Sequence, residues 1–294
     1  MNRRLLPRVL AWVGAILLVV LLDRAPPRTA PHRAEWLQAG DTHVRALRTG
    51  TGDTTLLLLH GYSESILAWR GLVDRLATRF QVVALDLPGF GLSEKPSGPY
   101  DLATMTHRLG DFLDRWTSGP VVIVGHSMGG ELAAALAMDR PDRILAVVLI
   151  APAGYGLGMG LSDEPLDRTD LRVARWTLLA KHLLVPDDDP AWLAPPPGIE
   201  MNRSDTARDR ASEAVFQQFD FTALRQRFRD LKQPTLLIWG RVDPLIPITI
   251  GRMIAAELPC GRMVELPNAW HRPHVEQPAR VAEEIEGFLD HKRE

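Results

Sequence analysis

From residue 54 onward the chain alternates short, unbroken apolar runs with amphipathic stretches. The runs fall at 56–59, 81–85, 120–124 and 145–150, and the stretches between them at 66–79, 102–116 and 128–139. A strand buried on both faces has no polar side to show, so such runs predict a parallel sheet whose right-handed crossovers place helices on both faces. Upstream, 35–37 and 43–47 alternate in character about the turn signal Gly40-Asp41, which predicts two strands that open the sheet in antiparallel fashion. The rhythm stops between 152 and 230, where glycines at 154, 156, 158 and 160 lead into helix candidates at 171–184 and 205–219, separated by a proline-dense loop at 186–197. No strand-forming run is read there. Strands at 235–239 and 262–266 and a closing helix at 278–289 then complete the pattern. The expected fold is α/β: a mostly parallel eight-stranded sheet with helices on both faces and a helical lid inserted after the sixth strand. Its segments are 1–33, a hydrophobic leader and tether; 34–151, the first part of the core; 152–230, the insertion; and 231–294, the rest of the core.

The leader has its own pattern. Arg3, Arg4 and Arg8 precede an apolar run at 9–22 that Asp23 and Arg24 close. That run is shorter than the roughly 20 residues of a full span and suits a signal-peptide core, which Leu5 and Leu6 extend. Cleavage after Ala25 would put Asp23 where a small residue is needed. The expectation is therefore an uncleaved membrane anchor, with the positive flank left in the cytoplasm and the body exported. A secreted form released by cleavage, and a soluble helix packed on the body, stay open as alternatives.

Charge and cysteine content narrow the partners. With 34 basic and 36 acidic side chains, the net charge of -2 supplies no field to hold nucleic acid. The single cysteine, Cys260, excludes an intrachain disulfide and any paired-cysteine metal or redox motif.

Candidate chemistry gathers where predicted strands end. Gly125-His126-Ser127-Met128-Gly129-Gly130 lies between the run ending at Val124 and the helix starting near Met128. A serine lifted on a sharp strand-to-helix turn needs glycines around it so that the backbone can close, and the helix N-terminus favours negative charge there. Serine is a poor nucleophile without a base and an orienting acid. His271, between the last strand and the last helix, is the candidate base, and Asp243, just after 235–239, is the candidate acid. Both sit at carboxyl ends of parallel strands, the edge where open α/β sheets place their sites. The strand at 56–59 runs into His60-Gly61-Tyr62-Ser63-Glu64-Ser65, and the backbone N–H groups of Tyr62 and Met128 are the candidate oxyanion donors. His60 is expected to brace that loop, the turn from Asp86 to Ser93 to be a shaped connection, and His126 and His274 to take no direct chemical part.

These residues resemble the α/β-hydrolase superfamily in its lidded esterase and carbon–carbon bond hydrolase branch. The resemblance is carried by His60-Gly61, Asp86-x-Pro88-Gly89-x-Gly91-x-Ser93, Gly125-x-Ser127-x-Gly129-Gly130, Asp243, and His271 with Glu276-Gln277-Pro278, and it runs from about Glu35 to the C-terminus without the insertion. It implies Ser127 as nucleophile, Asp243 as acid, His271 as base, and Tyr62 and Met128 as oxyanion donors; no cofactor or metal is expected. The residue before the histidine is usually glycine in this family and is Trp270 here. Haloalkane dehalogenases and soluble epoxide hydrolases share the fold with a carboxylate at the position of Ser127, which argues against both.

The expected reaction is acyl transfer from a small apolar ester to water through an acyl-enzyme. Leu161, Trp176, Leu178, Leu179, Leu183, Trp192, Phe216 and Phe219 make the insertion apolar enough to shelter an acyl or alkyl group. Cleavage of a carbon–carbon bond beside a ketone, of a thioester or of an amide remains open for the same side chains, as does a ligand-sensing protein with slow turnover. Nothing in the sequence bears on oligomeric state.

Overall fold

The computed structural model describes residues 32–156, 192–194 and 205–290. The apolar run at 9–22, the helix candidate at 171–184, most of the proline-dense loop and the side chains of Leu161, Trp176, Leu178, Leu179 and Leu183 lie outside them. Among the described residues no helix is long and apolar enough to cross a membrane.

The strands are β1 (His32–Ala39), β2 (Thr42–Thr49), β3 (Thr55–Leu59), β4 (Gln81–Leu85), β5 (Val121–His126), β6 (Ile144–Ile150), β7 (Leu193–Ala194), β8 (Thr235–Gly240) and β9 (Gly261–Leu266). They form one sheet in the order β7-β1-β2-β4-β3-β5-β6-β8-β9. β1 and β4 both run antiparallel to β2, and every pairing from β4 through β9 is parallel. The helices are α1 (Arg70–Leu76), α2 (Leu102–Trp116), α3 (Met128–Asp139), α4 (Asp205–Gln218), α5 (Ile248–Glu257), α6 (Pro273–Glu276) and α7 (Pro278–Asp290).

Alternation along the central strands divides the core. Leu57, Leu59, Ile123, Val147 and Leu237 point to the face that also buries Phe112, Leu132 and Ile254 of α2, α3 and α5. Leu56, Leu58, Val122, Val148 and Leu236 point to the other, with Leu72 of α1 and Val281 and Ile285 of α7. Since both faces are covered, the central parallel strands β3, β5, β6 and β8 carry no polar alternation.

Four expectations need correction. Among the described residues the sheet has nine strands, because β7, within the stretch read as free of strands, pairs in parallel with the start of β1. Two residues are too few to leave an apolar signature. β1 begins at His32, inside the segment assigned to the tether, where the His32 N–H donates to the Trp192 carbonyl at 2.7 Å. The single helix expected at 66–79 is a 3-10 turn, Ile66–Trp69, followed by the short α1. Trp192 is fully buried on the α1/α7 face rather than over Ser127, its indole edge-on to His32.

Candidate active site

β5 ends at His126, and Ser127 follows with φ 52° and ψ -117°, a conformation that costs an L-residue about 1–3 kcal/mol. The surroundings hold it there. Ser127 donates its N–H to the Ile150 carbonyl at 3.0 Å, and its own carbonyl accepts from Gly130, Glu131 and Ala153 at 2.9, 3.1 and 2.9 Å. A Cβ at Gly125 would collide with the backbone of Gly129, and one at Gly129 with the carbonyls of Leu59 and His60. The glycines are thus required by close approach, and the second of them brings the loop after β3 against the turn that carries Ser127.

The carboxylate and imidazole come from the ends of β8 and β9. Asp243 Oδ1 accepts from the N–H groups of Leu245 and Ile246 at 2.8 and 3.0 Å, which fixes the carboxylate and leaves Oδ2 to meet His271 Nδ1 at 2.7 Å. With a carboxylate beyond it, Nδ1 carries the proton, so the Nε2 lone pair faces Ser127 Oγ, 3.0 Å away. The Asp243 side chain is fully enclosed and that of His271 is 14% exposed, so the chain of three opens to solvent through the imidazole. Any side chain at Gly240 would strike the carbonyls of Ala269 and Trp270, and Val242 N–H donates to Ala269 O at 3.1 Å. The acid loop and base loop therefore lie directly against each other.

The base loop is clamped on both sides of His271. Glu276 Oε2 accepts from Trp270 N–H at 2.6 Å and its Oε1 from Arg272 N–H at 3.0 Å. Burial pushes this carboxyl above its ordinary range even though both bonds favour the anion. Trp270, where the resemblance leads one to expect glycine, is accommodated in this clamp and leaves the His271 contacts intact.

Met128 opens α3, so its N–H is among those that a helix leaves without an internal acceptor. Tyr62 follows Gly61 in the loop after β3; its ring meets Phe90, Phe216 and Phe221 edge-on, and its hydroxyl donates to the Ser212 carbonyl of α4 at 2.9 Å. The loop carrying one candidate donor is thereby tied to a helix of the insertion.

His60, expected to brace its loop, and Asp86, expected in a shaped turn, are both junctions between segments. His60 Nδ1 donates to Gly61 O at 2.8 Å while Nε2 accepts from Leu87 N–H at 2.9 Å. The Asp86 carboxylate, fully buried, accepts from Arg45 Nε at 2.6 Å and from the N–H groups of Ile66 and Leu92, each at 2.7 Å. Gly91 must be glycine, since a Cβ would overlap that carboxylate.

Sequence reasoning missed a polar cluster behind Ser127. Glu64, His126 and His274 are buried, with ligand-type atoms within 4.8 Å of one another, close enough to suggest a metal. Their commitments argue otherwise: Glu64 Oε2 accepts from Gly61 N–H and meets His126 Nδ1, both at 2.9 Å, and Oε1 pairs with Arg272 Nε at 2.7 Å. A cation would compete with a guanidinium already in place. His126 Nε2 meets the His271 carbonyl at 2.8 Å, so both its nitrogens face acceptors; burial pulls its proton affinity below the ordinary histidine range, against the pull of Glu64. His274 lies between Trp69 and His126, ring centroids 4.5 and 4.4 Å away, and burial first, then His126, hold it well below that range. Only tertiary contact assembles these groups, and no local motif announces them.

The comparisons with known proteins agree with this architecture. A haloalkane dehalogenase of Mycobacterium bovis is 30% identical over 286 residues, covering 90% of this chain and 98% of that protein. The uncharacterised hydrolase YugF of Bacillus subtilis is 28% identical over 253 residues, covering 81% and 90%. Among solved structures, a membrane phospholipase A described as a bacterial virulence factor is 26% identical with a TM-score of 0.67, covering 100% of this chain and 99% of that one. A thermophilic esterase from Thermogutta terrifontis, at 23% identity and a TM-score of 0.67 over 87% and 98% of the two chains, shares the fold. With the family profile described as the alpha/beta hydrolase fold matching residues 54–278, and relatives aligned along most of the length, the chain belongs to the alpha/beta hydrolase fold family and is a hydrolase.

Proposed function

We propose that the protein is a serine hydrolase that cleaves an apolar carboxylic ester through an acyl-enzyme. The observation that carries this reading is the hydrogen-bond chain from Ser127 Oγ through His271 to Asp243, at 3.0 and 2.7 Å. His271 Nε2 takes the hydroxyl proton as Ser127 Oγ attacks the ester carbonyl, and Asp243 stabilises the imidazolium that results. The carbonyl oxygen, now an oxyanion, is received by the N–H groups of Tyr62 and Met128. As the tetrahedral intermediate collapses, Nε2–H protonates the departing alkoxide. Water, deprotonated by His271 in turn, releases the acid and restores Ser127.

An apolar substrate is supported by the aromatic wall of Phe90, Phe216 and Phe221 around Tyr62. The full-length likeness to a membrane phospholipase A points the same way. The dehalogenase relative suggests the competing chemistry, but position 127 offers a hydroxyl in place of a carboxylate. We read the apolar run at 9–22 as an anchor that holds the exported enzyme beside lipophilic esters, with 152–230 as the lid over the site.

A fluorophosphonate probe is expected to label Ser127, and p-nitrophenyl esters of graded chain length to be turned over. Ser127→Ala should abolish labelling and lower turnover by about 10⁴- to 10⁶-fold. Near-normal turnover in that variant would overturn the assignment, and labelling with negligible turnover would indicate a sensor rather than an enzyme.

A further inference from the structure

Three loops meet behind Ser127, and one carboxylate touches all of them. Glu64 is 6% exposed. Its partners are Gly61, immediately before Tyr62; His126, immediately before Ser127; and Arg272, immediately after His271. Each contact is therefore one residue removed from a group used in the proposed reaction. His126 extends the connection by meeting the His271 carbonyl.

We propose that Glu64 is a positioning residue: through Gly61, His126 and Arg272 it holds the oxyanion loop, the nucleophile turn and the base loop in the mutual register that the transition state requires. The inference rests on reading Ser127 and His271 as the reacting pair. Its physical basis is that the oxyanion donor and the imidazole belong to different loops, so local structure alone does not set the distance between them. Misplacement of about 1 Å at such a site costs about 100-fold in rate.

The junction asks for an anion. Gly61 N–H and the Arg272 guanidinium are donors, and an amide at position 64 would turn its NH₂ either toward the guanidinium or toward the Gly61 N–H and the His126 ring. Space is equally tight: a Cβ at Gly61 would lie 2.8 Å from His126 Nδ1 and 3.1 Å from Glu64 Oε2. A change of charge distribution there has little room to relax and should pass into the loops.

The test uses the full chain and compares wild type with Glu64→Gln. The readouts are kcat and KM on p-nitrophenyl butyrate, and the affinities of a trifluoromethyl ketone, which forms a tetrahedral adduct, and of a neutral amide analogue of the ester. The expected result is a fall in kcat of about 10- to 100-fold, a KM within about threefold, and weakened ketone binding in step with kcat while the amide binds as before. A purely structural role would weaken both inhibitors alike, and that result, or a kcat within twofold of wild type, overturns the proposal. If Glu64→Gln fails to fold, Glu64→Asp keeps the charge but shortens its reach; it is expected to show a smaller loss with the same split between ketone and amide, and equal losses again overturn the proposal. Absence of fluorophosphonate labelling in the wild type would instead remove the reading of Ser127, so the two failures are distinguishable.

Discussion

Glu131 occupies a place that suits only its neutral form. It is fully buried in the first turn of α3, and burial, followed by the charge of Asp220, raises its proton affinity well above the ordinary glutamate value of 4.5. The folded chain keeps this proton where the unfolded chain has lost it, so stability falls as pH rises from 4.5 toward the raised native value. Glu131→Gln removes the titration. Thermal melts should show the variant more stable than wild type at pH 8, by about 2–4 °C for each kcal/mol recovered, with the gain gone near pH 4. Legibility at this scale followed locality. Ser127, His271 and Asp243 stand out in the sequence because each lies where an apolar run ends. Glu64, Arg272 and Glu131 gain their meaning from partners distant in the chain, as with Glu64 and His126, and no spacing rule reaches that far.

Among the elements, α2 shows how a terminus is set. Asp101 caps it, accepting from the Thr104 N–H and hydroxyl, each at 2.9 Å, and the bond to that N–H is the main reason its carboxyl sits below the ordinary aspartate value of 3.8. A depressed carboxylate contributes stability that is present above the free value and lost as pH falls through the native one. Asp101→Ala should therefore cost about 1 kcal/mol at neutral pH, read by denaturant unfolding, and progressively less below pH 3.8. The bounds of α2 and α3 were legible because both keep a continuous helical pattern and the serine turn marks the start of α3. α5 was not. It begins after Pro247 without a side-chain cap, and Ile248-Thr249-Ile250-Gly251 mixes β-branched residues with glycine where a helix signal is expected. Gly251 is there because a Cβ would press on the Trp239 indole, a packing demand visible only once β8 and α5 are in contact.

On the scale of the whole molecule, the buried histidines link the candidate site to acid stability. His274 is held neutral when folded and takes a proton below 6.5 when unfolded, so its contribution is complete above that value and is lost as pH falls beneath it. While the native form stays neutral, one such group costs about 1.4 kcal/mol per pH unit. His274→Phe, which keeps a ring between Trp69 and His126, should flatten the decline below pH 6.5 in urea unfolding. The joint between β1 and β7 bears on how the protein can be shortened. His32 gives its N–H to Trp192, and its imidazole lies 3.0 Å from Asp74, so trimming the greasy leader at residue 34 would remove a fastening of the sheet's outer edge along with the leader. A product that starts at residue 25 should stay monodisperse and melt like the parent in detergent. One that starts at 34 should melt lower and self-associate, because Leu193 and Ala194 would lose the residues they pair with and be left as an open strand edge.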